Sequence, residues 1–268
     1  MKRNIYKASI AIVGGLLLLI IAVFNTPFFL SDIRPDEFRG DYTLSHSGRP
    51  FLEKSQLAHG MQKWMKQDSI LFEIEHDIQN PLAKFKLAPD DNSLHRYSMI
   101  SFPKNRGSSY YRSTKTDPSY LIGKDEQGVY KESNGGRAYD QHNIDFFYHA
   151  ILHLFEFSFE MNSADILEYI GEKKMKANTY DLVFASWETI KPSADYDQYI
   201  IWINQETGLI DRFDATGRGI MPFAKAKVDF EYPDVKGAVI FPNLVRVNSA
   251  GFDEKEIMRL RLLSVEQN

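Results

Sequence analysis

The 268-residue sequence contains no cysteine. A disulfide framework and a lipidated amino-terminal cysteine are therefore excluded, so the fold depends on packing alone. The sequence also lacks a phosphate-binding glycine loop, a dinucleotide fingerprint and a glycine-flanked serine elbow. We therefore expect a protein that is not an enzyme and that needs no cofactor.

Positive charge is scarce outside the amino terminus. The chain has 32 basic and 36 acidic residues, and three of the basic ones, Lys2, Arg3 and Lys7, lie before the first long apolar run. The remainder carries 29 basic against 36 acidic residues. Because binding to phosphate backbones needs a basic surface, nucleic acid is not expected as a partner.

The apolar run extends from Ala8 to Phe24 and resumes at Phe28. Together these residues are long enough to cross a bilayer as a helix, and the preceding basic residues place the amino terminus in the cytoplasm. A cleaved signal peptide is the alternative, but small residues are missing from the plausible cleavage positions. We predict an uncleaved signal anchor at 1–30, a juxtamembrane connector at 31–50 and a periplasmic or extracytoplasmic domain at 51–268. Sequencing the amino terminus of the native protein would distinguish the two.

Beyond the connector, hydrophobic periodicity predicts an amphipathic helix between Glu53 and Lys66, weakened by Gly60, and then a half-buried strand from Ile70 to Glu75. Short β-rich runs separated by turn residues predict antiparallel strands in both halves of the chain. These predicted strands are Arg96–Phe102, Ser109–Thr114, Tyr120–Gly123, Val129–Glu132, Asp165–Ile170, Tyr180–Trp187, Gln198–Asn204, Leu209–Ala215, Lys225–Tyr232, Leu244–Asn248 and Glu256–Val265.

One strand and its loop stand out. Tyr199–Ile203 is apolar on both faces, so something must cover each side of this strand. The loop that follows ends at Gly208, which can adopt the positive φ of a bulged hairpin connection. By contrast, Asp195 and Asp197 in the preceding loop are interpreted as solvated turn residues. Arginines that alternate with apolar residues predict an outer polar face, which could also meet a lipid headgroup or an acidic partner. They are Arg212, Arg246, Arg259 and Arg261.

The segment from Gln141 to Met161 predicts an amphipathic helix with a wide apolar face and a narrow stripe of histidine and carboxylate residues. His149 and His153 are four residues apart and could share a metal with Asp145 or Glu156. Position 150 is Ala, however, where the zinc-protease pattern has its glutamate base. We interpret the stripe as a solvated helix face and expect no metal, with the two histidines as weak candidates.

Several segments resemble the lipoprotein-localisation-factor superfamily. The similar features are Ala58-His59-Gly60 with Trp64, a first strand centred on Phe72, the central helical insertion, and the runs Tyr169–Trp187, Tyr199–Thr216 and Phe241–Val247. The resemblance implies an α+β fold: a strongly curved, unclosed antiparallel half-barrel with helices on its concave side and an apolar cavity between them. Known members carry or accept lipids and lipoproteins. This chain differs in having a transmembrane candidate and no cysteine, and the gating arginine of carrier members maps to no position here.

Two functions of different class follow. In the first, a membrane-tethered extracytoplasmic protein holds a lipid or a lipoprotein acyl chain in the cavity. Its expected lining residues are Trp64, Phe72, Phe147, Phe155 and Trp202. In the second, the same domain is a non-enzymatic interaction module of an envelope complex, with a core filled by its own side chains. A metal-dependent enzyme that uses His149 and His153 is a distant third.

Overall fold

The computed structural model describes residue 33 and the ranges 46–80, 94–104, 110–113, 121–125, 127–133, 136–139, 142–193, 195–218, 225–233, 238–250 and 255–268. The predicted anchor at 1–30 lies outside these residues. Within the described part of the chain, no helix combines the length and apolarity that a membrane span requires.

Fourteen strands and three α-helices are present in these ranges. The strands are β1 (His46–Ser47), β2 (Ile70–Ile78), β3 (Leu94–Ser101), β4 (Tyr110–Ser113), β5 (Leu121–Asp125), β6 (Gly128–Ser133), β7 (Gly136–Tyr139), β8 (Ile166–Met175), β9 (Asn178–Ser186), β10 (Gln198–Asn204), β11 (Ile210–Thr216), β12 (Lys225–Glu231), β13 (Leu244–Ser249) and β14 (Glu256–Gln267). The helices are α1 (Arg49–Ala58), α2 (Met61–Trp64) and α3 (His142–Glu160).

Eleven strands form one sheet in the order β1-β8-β9-β10-β11-β12-β13-β14-β2-β3-β4, and β5-β6-β7 form a second. Each pairing between these strands is antiparallel. Among the residues that the structure describes, β1 and β4 are the terminal strands of the large sheet, and no pairing joins them to close it. An antiparallel sheet with separate helices is the α+β class that the sequence predicts.

The inner face of the large sheet is the one that packs against the helices. Apolar side chains at alternate positions of β2 and β9–β14 share one buried cluster with Leu52 of α1, Trp64 of α2 and Phe155 of α3. This alternation is what a strand with one face on a core requires. The inner face therefore forms the main core, with the helices lying across it.

The outer face carries a second, smaller cluster. Leu182 and Phe184 of β9 and Ile200 and Trp202 of β10 are buried there together with Ile33, whose side chain has no exposed surface. β10 is thus covered on both faces, as predicted for Tyr199–Ile203. A residue from the predicted connector is part of this cover.

The rest of the outer face is charged. A continuous row of charged residues starts beside Trp202 and crosses five further strands, each residue paired with the next. The row consists of Arg212, Asp229, Arg246, Arg259 and Asp77. The guanidinium groups in this region are ion-paired, with Arg212 Nε 2.6 Å from Asp229 Oδ1 and Arg261 Nη1 3.2 Å from Glu75 Oε1. The arginines predicted to form an outer polar face do so, and they are paired with acidic residues of the same strand or of a neighbouring one.

Several predicted boundaries differ from the structure. Gly60 has φ 88°, and this left-handed residue divides the predicted first helix into α1 and α2. β8 continues through Glu172–Lys174 to Met175, because pairing with β9 maintains these polar residues in extended conformation. β7, which begins at Gly136, is not among the predicted strands.

Candidate functional site

The carboxyl-terminal half of α3 is buried on nearly every side. Ile151 and Leu152 and all residues from 154 to 159 are buried, whereas His153 is half-buried and His149 is exposed. Such a helix is not a surface element with one apolar stripe. It lies between the inner face of the sheet and other parts of the chain, as its broad apolar surface predicted.

Aromatic rings form the contact between α3 and the inner face, and we call this contact the ring seam. Phe157 stacks on Phe213 of β11 at a centroid distance of 4.1 Å, and Phe159 stacks on Trp64 of α2 at 4.8 Å. Phe155 contacts Phe72 of β2 at 5.9 Å. Rings at these separations are packed against each other, so protein side chains fill the seam.

Three of the five predicted lining residues meet in this seam. Trp64, Phe72 and Phe155 are each exposed by 2% or less and belong to one cluster. Trp202 does not join them, because it faces the outer cluster on the opposite side of the sheet. The side chain of Phe147 lies outside the described part of α3.

Trp202 instead belongs to a polar and aromatic arrangement of its own. Its indole Nε1 donates a hydrogen bond to the Asp214 carboxylate at 2.8 Å, and the Lys173 ammonium lies 5.1 Å from its ring centroid. Burial raises the pKa of Asp214, while the indole hydrogen bond opposes that rise. These contacts orient the tryptophan toward the outer face.

The two histidines considered for a metal are not arranged as ligands. Nδ1 of His153 lies 2.7 Å from a carboxylate oxygen of Glu160, and Glu156 is hydrogen-bonded to the hydroxyl of Ser101. His149 is exposed on the next turn of α3 toward the amino terminus. Among the described residues, no group of three or more histidine or acidic side chains could hold a metal ion.

His59 is a buried polar residue at the end of α1. Its Nε2 accepts a hydrogen bond from the amide of Ile210, and its Nδ1 lies 3.2 Å from the carbonyl oxygen of Ile240. This geometry requires the proton on Nδ1, because Nε2 is the acceptor. Burial lowers the pKa of His59 to about 4. The neutral ring therefore joins α1 to β11 and to the segment before β13.

An open groove of about 950 Å³ lies beside this junction, where the β8–β9 and β10–β11 turns meet the end of β12. Ala58, Leu209 and Ile240 contribute apolar surface to it. Charged residues of both signs also line the groove: Lys176, Glu206, Asp211, Arg212, Asp229, Glu231 and Arg246. The groove is thus amphipathic, with three basic residues, four acidic residues and a partly apolar wall.

A hydrogen-bonded carboxylate forms part of the groove wall. Asp211 accepts hydrogen bonds from Asn204 Nδ2 at 2.8 Å and from the hydroxyl of Tyr180 at 3.1 Å. Burial raises the pKa of Asp211, and these two hydrogen bonds oppose the rise. The carboxylate holds the β10–β11 turn against β9, so its chemistry is structural. The turn itself contains Gly208 at φ 74°, as predicted.

The sequence matches no protein-family model, and no match is found among curated proteins. Its structural neighbours include LolA-superfamily and lipoprotein-sorting proteins, as the sequence resemblance predicts. A LolA-superfamily protein from Nitrosomonas europaea has 12% identity and a TM-score of 0.49, covering 83% of this chain and 94% of its own. A DUF1329-family protein from Desulfovibrio piger has 13% identity and a TM-score of 0.48, and the match covers 82% of this chain and 93% of that protein. A putative outer-membrane lipoprotein-sorting protein domain from Vibrio parahaemolyticus has 9% identity and a TM-score of 0.44, and the match covers 82% of this chain and 92% of that domain. Likenesses at this level do not identify what this chain binds.

Sequence reasoning did not identify His59 and Asp211 as structurally important. His59 entered only as part of the Ala58-His59-Gly60 pattern, and Asp211 appeared as one alternating residue of a strand. Their partners are distant in sequence: 151 residues separate His59 from Ile210, and 31 separate Tyr180 from Asp211. No local signal could have paired them.

Proposed function

We propose that this protein is a non-enzymatic binding protein of the cell envelope that accepts a lipid or a lipoprotein acyl chain at the ring seam, beneath α3. Residues 1–30 would tether it to a membrane, with the remainder outside the cytoplasm. The supporting observation is the extent of the apolar contact: a long, largely apolar helix lies across an apolar sheet face and shares one buried cluster with it.

Apolar contacts of this kind can be exchanged for others. Dispersion and hydrophobic burial are non-directional, so an acyl chain beside Phe157 or Phe159 could replace much of what the neighbouring rings contribute. Directional bonds also fix α3, including those from Gln56 Nε2 to the Phe159 carbonyl and between Ser101 and Glu156. Ligand uptake would therefore separate rings while these bonds keep the helix in register.

Photocrosslinking tests the proposal on the full chain. Cells that express it are fed a diazirine-bearing fatty acid, irradiated, and the purified protein is mapped by peptide mass spectrometry. We expect adducts at 155–159 and around Phe213, in addition to any within the apolar segment before residue 30. Adducts confined to that amino-terminal segment would show that the seam receives no acyl chain.

A matched pair of variants controls for non-specific labelling. Ala215 lies buried on the inner face, and Ala215→Leu narrows the seam. Ala138 is exposed on β7, and Ala138→Leu adds the same atoms away from the seam. Adduct yield at 155–159 should fall in the first variant and remain in the second, with circular dichroism confirming that both fold.

A second candidate function is an interaction module with a filled core. The stacked rings at 4.1 and 4.8 Å favour it, and the open groove offers a surface for a partner. A photoreactive amino acid at Thr207, an exposed groove residue, should then capture a protein in cells, and Arg246→Glu should abolish capture. Tyr139, exposed on β7, serves as the control position. Capture at both positions, or at neither, would argue against this candidate.

A further inference from the structure

The exposed side of α1 and α2 has an unusual composition, and we call it the helical face. Leu57 is 59% exposed and Met65 is 56% exposed, the two highest values among the exposed large hydrophobic residues of the described chain. Leu57 lies on the exposed side of α1 near its carboxyl end, one turn from Glu53 and two from Arg49. Met65 follows α2 directly. Two large apolar side chains therefore project from consecutive helices into solvent.

Basic residues predominate among the exposed charged residues of the same segment. The exposed charged residues between positions 49 and 66 are Arg49, Glu53, Lys54, Lys63 and Lys66, with a net charge of +3 in a chain whose total is −4. Arg49 donates to the carbonyl and the side-chain oxygen of Asn162, which are neutral acceptors and leave its charge in place. The nearby Asp68 is paired with Lys104. The helical face is therefore a local basic surface on an acidic protein.

We propose that the helical face docks on an anionic bilayer surface, with Leu57 and Met65 entering the headgroup region. Basic side chains beside projecting apolar ones are the combination that interfacial membrane binding uses. A second copy of this chain is a poorer occupant, because two faces of +3 would repel each other. The inference rests on the proposed tethering to a membrane and does not require the seam to bind an acyl chain.

The position of α1 is compatible with such contact. Phe51 stacks on Tyr169 of β8 at 4.2 Å, which places α1 on the inner face near the β1 edge of the sheet. Ile33 is buried on the outer face of the neighbouring strands, and only about 10 Å of extended chain can separate it from the end of the predicted anchor. A bilayer at this edge of the sheet could therefore be reached by α1 from the inner face and by the chain that precedes Ile33 from the outer face.

The same helices connect this surface to the ring seam. Trp64 of α2 is buried beneath the helical face and stacks on Phe159 of α3. A bilayer in contact with Leu57 and Met65 would thus lie one helix diameter from the rings proposed to receive an acyl chain. Docking would place the ring seam near its source of lipid.

The absence of native cysteine allows a direct test on the full chain. Leu57→Cys and, as control, Leu263→Cys are labelled with an environment-sensitive fluorophore and reconstituted in vesicles that contain nitroxide lipids. Leu263 is exposed on β14, and five strands of the sheet separate β14 from β8, the strand that Phe51 of α1 contacts. In phosphatidylcholine vesicles with about 30% phosphatidylglycerol, we expect the label at 57 to be quenched and that at 263 to remain unquenched. Salt at about 0.5 M should reverse the quenching by screening.

Charge reversal gives a second test that does not disturb the core. Lys54→Glu, Lys63→Glu and Lys66→Glu alter exposed residues, and together they should lower the quenched fraction at position 57 by about fivefold or more. Equal quenching at 57 and 263, or quenching independent of anionic lipid, would overturn the proposal. So would crosslinking of position 57 to an acidic protein in cells without any lipid dependence. The acyl-chain proposal is tested separately, by whether the photocrosslinking experiment finds fatty-acid adducts at 155–159.

Discussion

Nε2 of His59 accepts a hydrogen bond from the backbone amide of Ile210 at 3.2 Å, and this bond joins the end of α1 to the start of β11. Protonation of the ring would convert that acceptor into a donor and place a charge in a buried site. The folded state therefore binds this proton less tightly than the unfolded state does. The stability that neutral His59 contributes is therefore fully present at pH values above the pKa of His59 in the unfolded chain. It declines as the pH falls toward the lower pKa that His59 has in the folded protein.

The first prediction concerns this pH dependence. Between pH 6.5 and about 4, the range set by the unfolded and folded pKa of His59, the free energy of unfolding should fall by an amount on the order of 3 kcal/mol. His59→Gln keeps a donor and an acceptor but does not titrate, so its urea unfolding should vary less over this range. His149→Gln removes an exposed ring as control. Identical pH slopes for wild type and His59→Gln would contradict the assignment.

The second prediction concerns Trp202 and Asp214. Trp202→Phe removes the indole donor and leaves the buried carboxylate without that hydrogen bond, at a cost of about 1–3 kcal/mol at neutral pH. Because the indole bond lowers the pKa of Asp214, that pKa should rise in the variant, and the loss should diminish as pH falls. Urea unfolding followed by circular dichroism measures both effects. Trp187→Phe, at a half-buried position, should show a smaller loss with no such pH dependence.

The third prediction concerns the ring seam. Phe157 is 1% exposed and stacks on Phe213, so Phe157→Ala should lower the free energy of unfolding by about 3–5 kcal/mol. Leu263→Ala removes a large side chain that is 41% exposed and should cost far less. Chemical denaturation of the two variants gives the comparison. Similar losses would mean that Phe157 is not packed as described.

The fourth prediction separates backbone strain from steric contact. Gly60 and Gly128 both have positive φ, but a Cβ at Gly60 would lie 2.7 Å from the carbonyl oxygen of Ala238, while one at Gly128 would meet nothing within 4 Å. Gly60→Ala should therefore be less stable than Gly128→Ala, by about 1–3 kcal/mol beyond the strain that both share. Thermal and urea unfolding test the difference. Equal losses would show that the backbone near Ala238 yields freely.

Much of the fold could be predicted because the strands alternate. In β12 and β13, Val228 and Val245 face the core while Asp229 and Arg246 face outward, so period-two patterning identifies these strands from sequence alone. β10 could not be oriented in this way, since its residues are buried on both faces. Trp202 was consequently assigned to the wrong side of the sheet, although the strand itself was predicted correctly.

The candidate site was only partly predictable for a related reason. Trp64, Phe72 and Phe155, three of the five expected lining residues, lie in one buried cluster, whereas Trp202 lies on the opposite face of the sheet. The groove, by contrast, forms where three separate turns and the end of α1 converge, and no stretch of sequence encodes that convergence. Long-range pairs such as Tyr180 and Asp211 emerge only once the register is fixed.

The three tryptophans occupy three different environments. Trp64 is stacked within the ring seam, Trp202 is buried in the outer cluster, and Trp187 is half-buried with its ring edge-to-face with Tyr199 at 75°. Intrinsic fluorescence therefore contains a separate optical reporter for each face of the sheet and one for the loop beside them. The order in which the fluorescence emission of the three tryptophans shifts during unfolding would show which layer of the protein opens first.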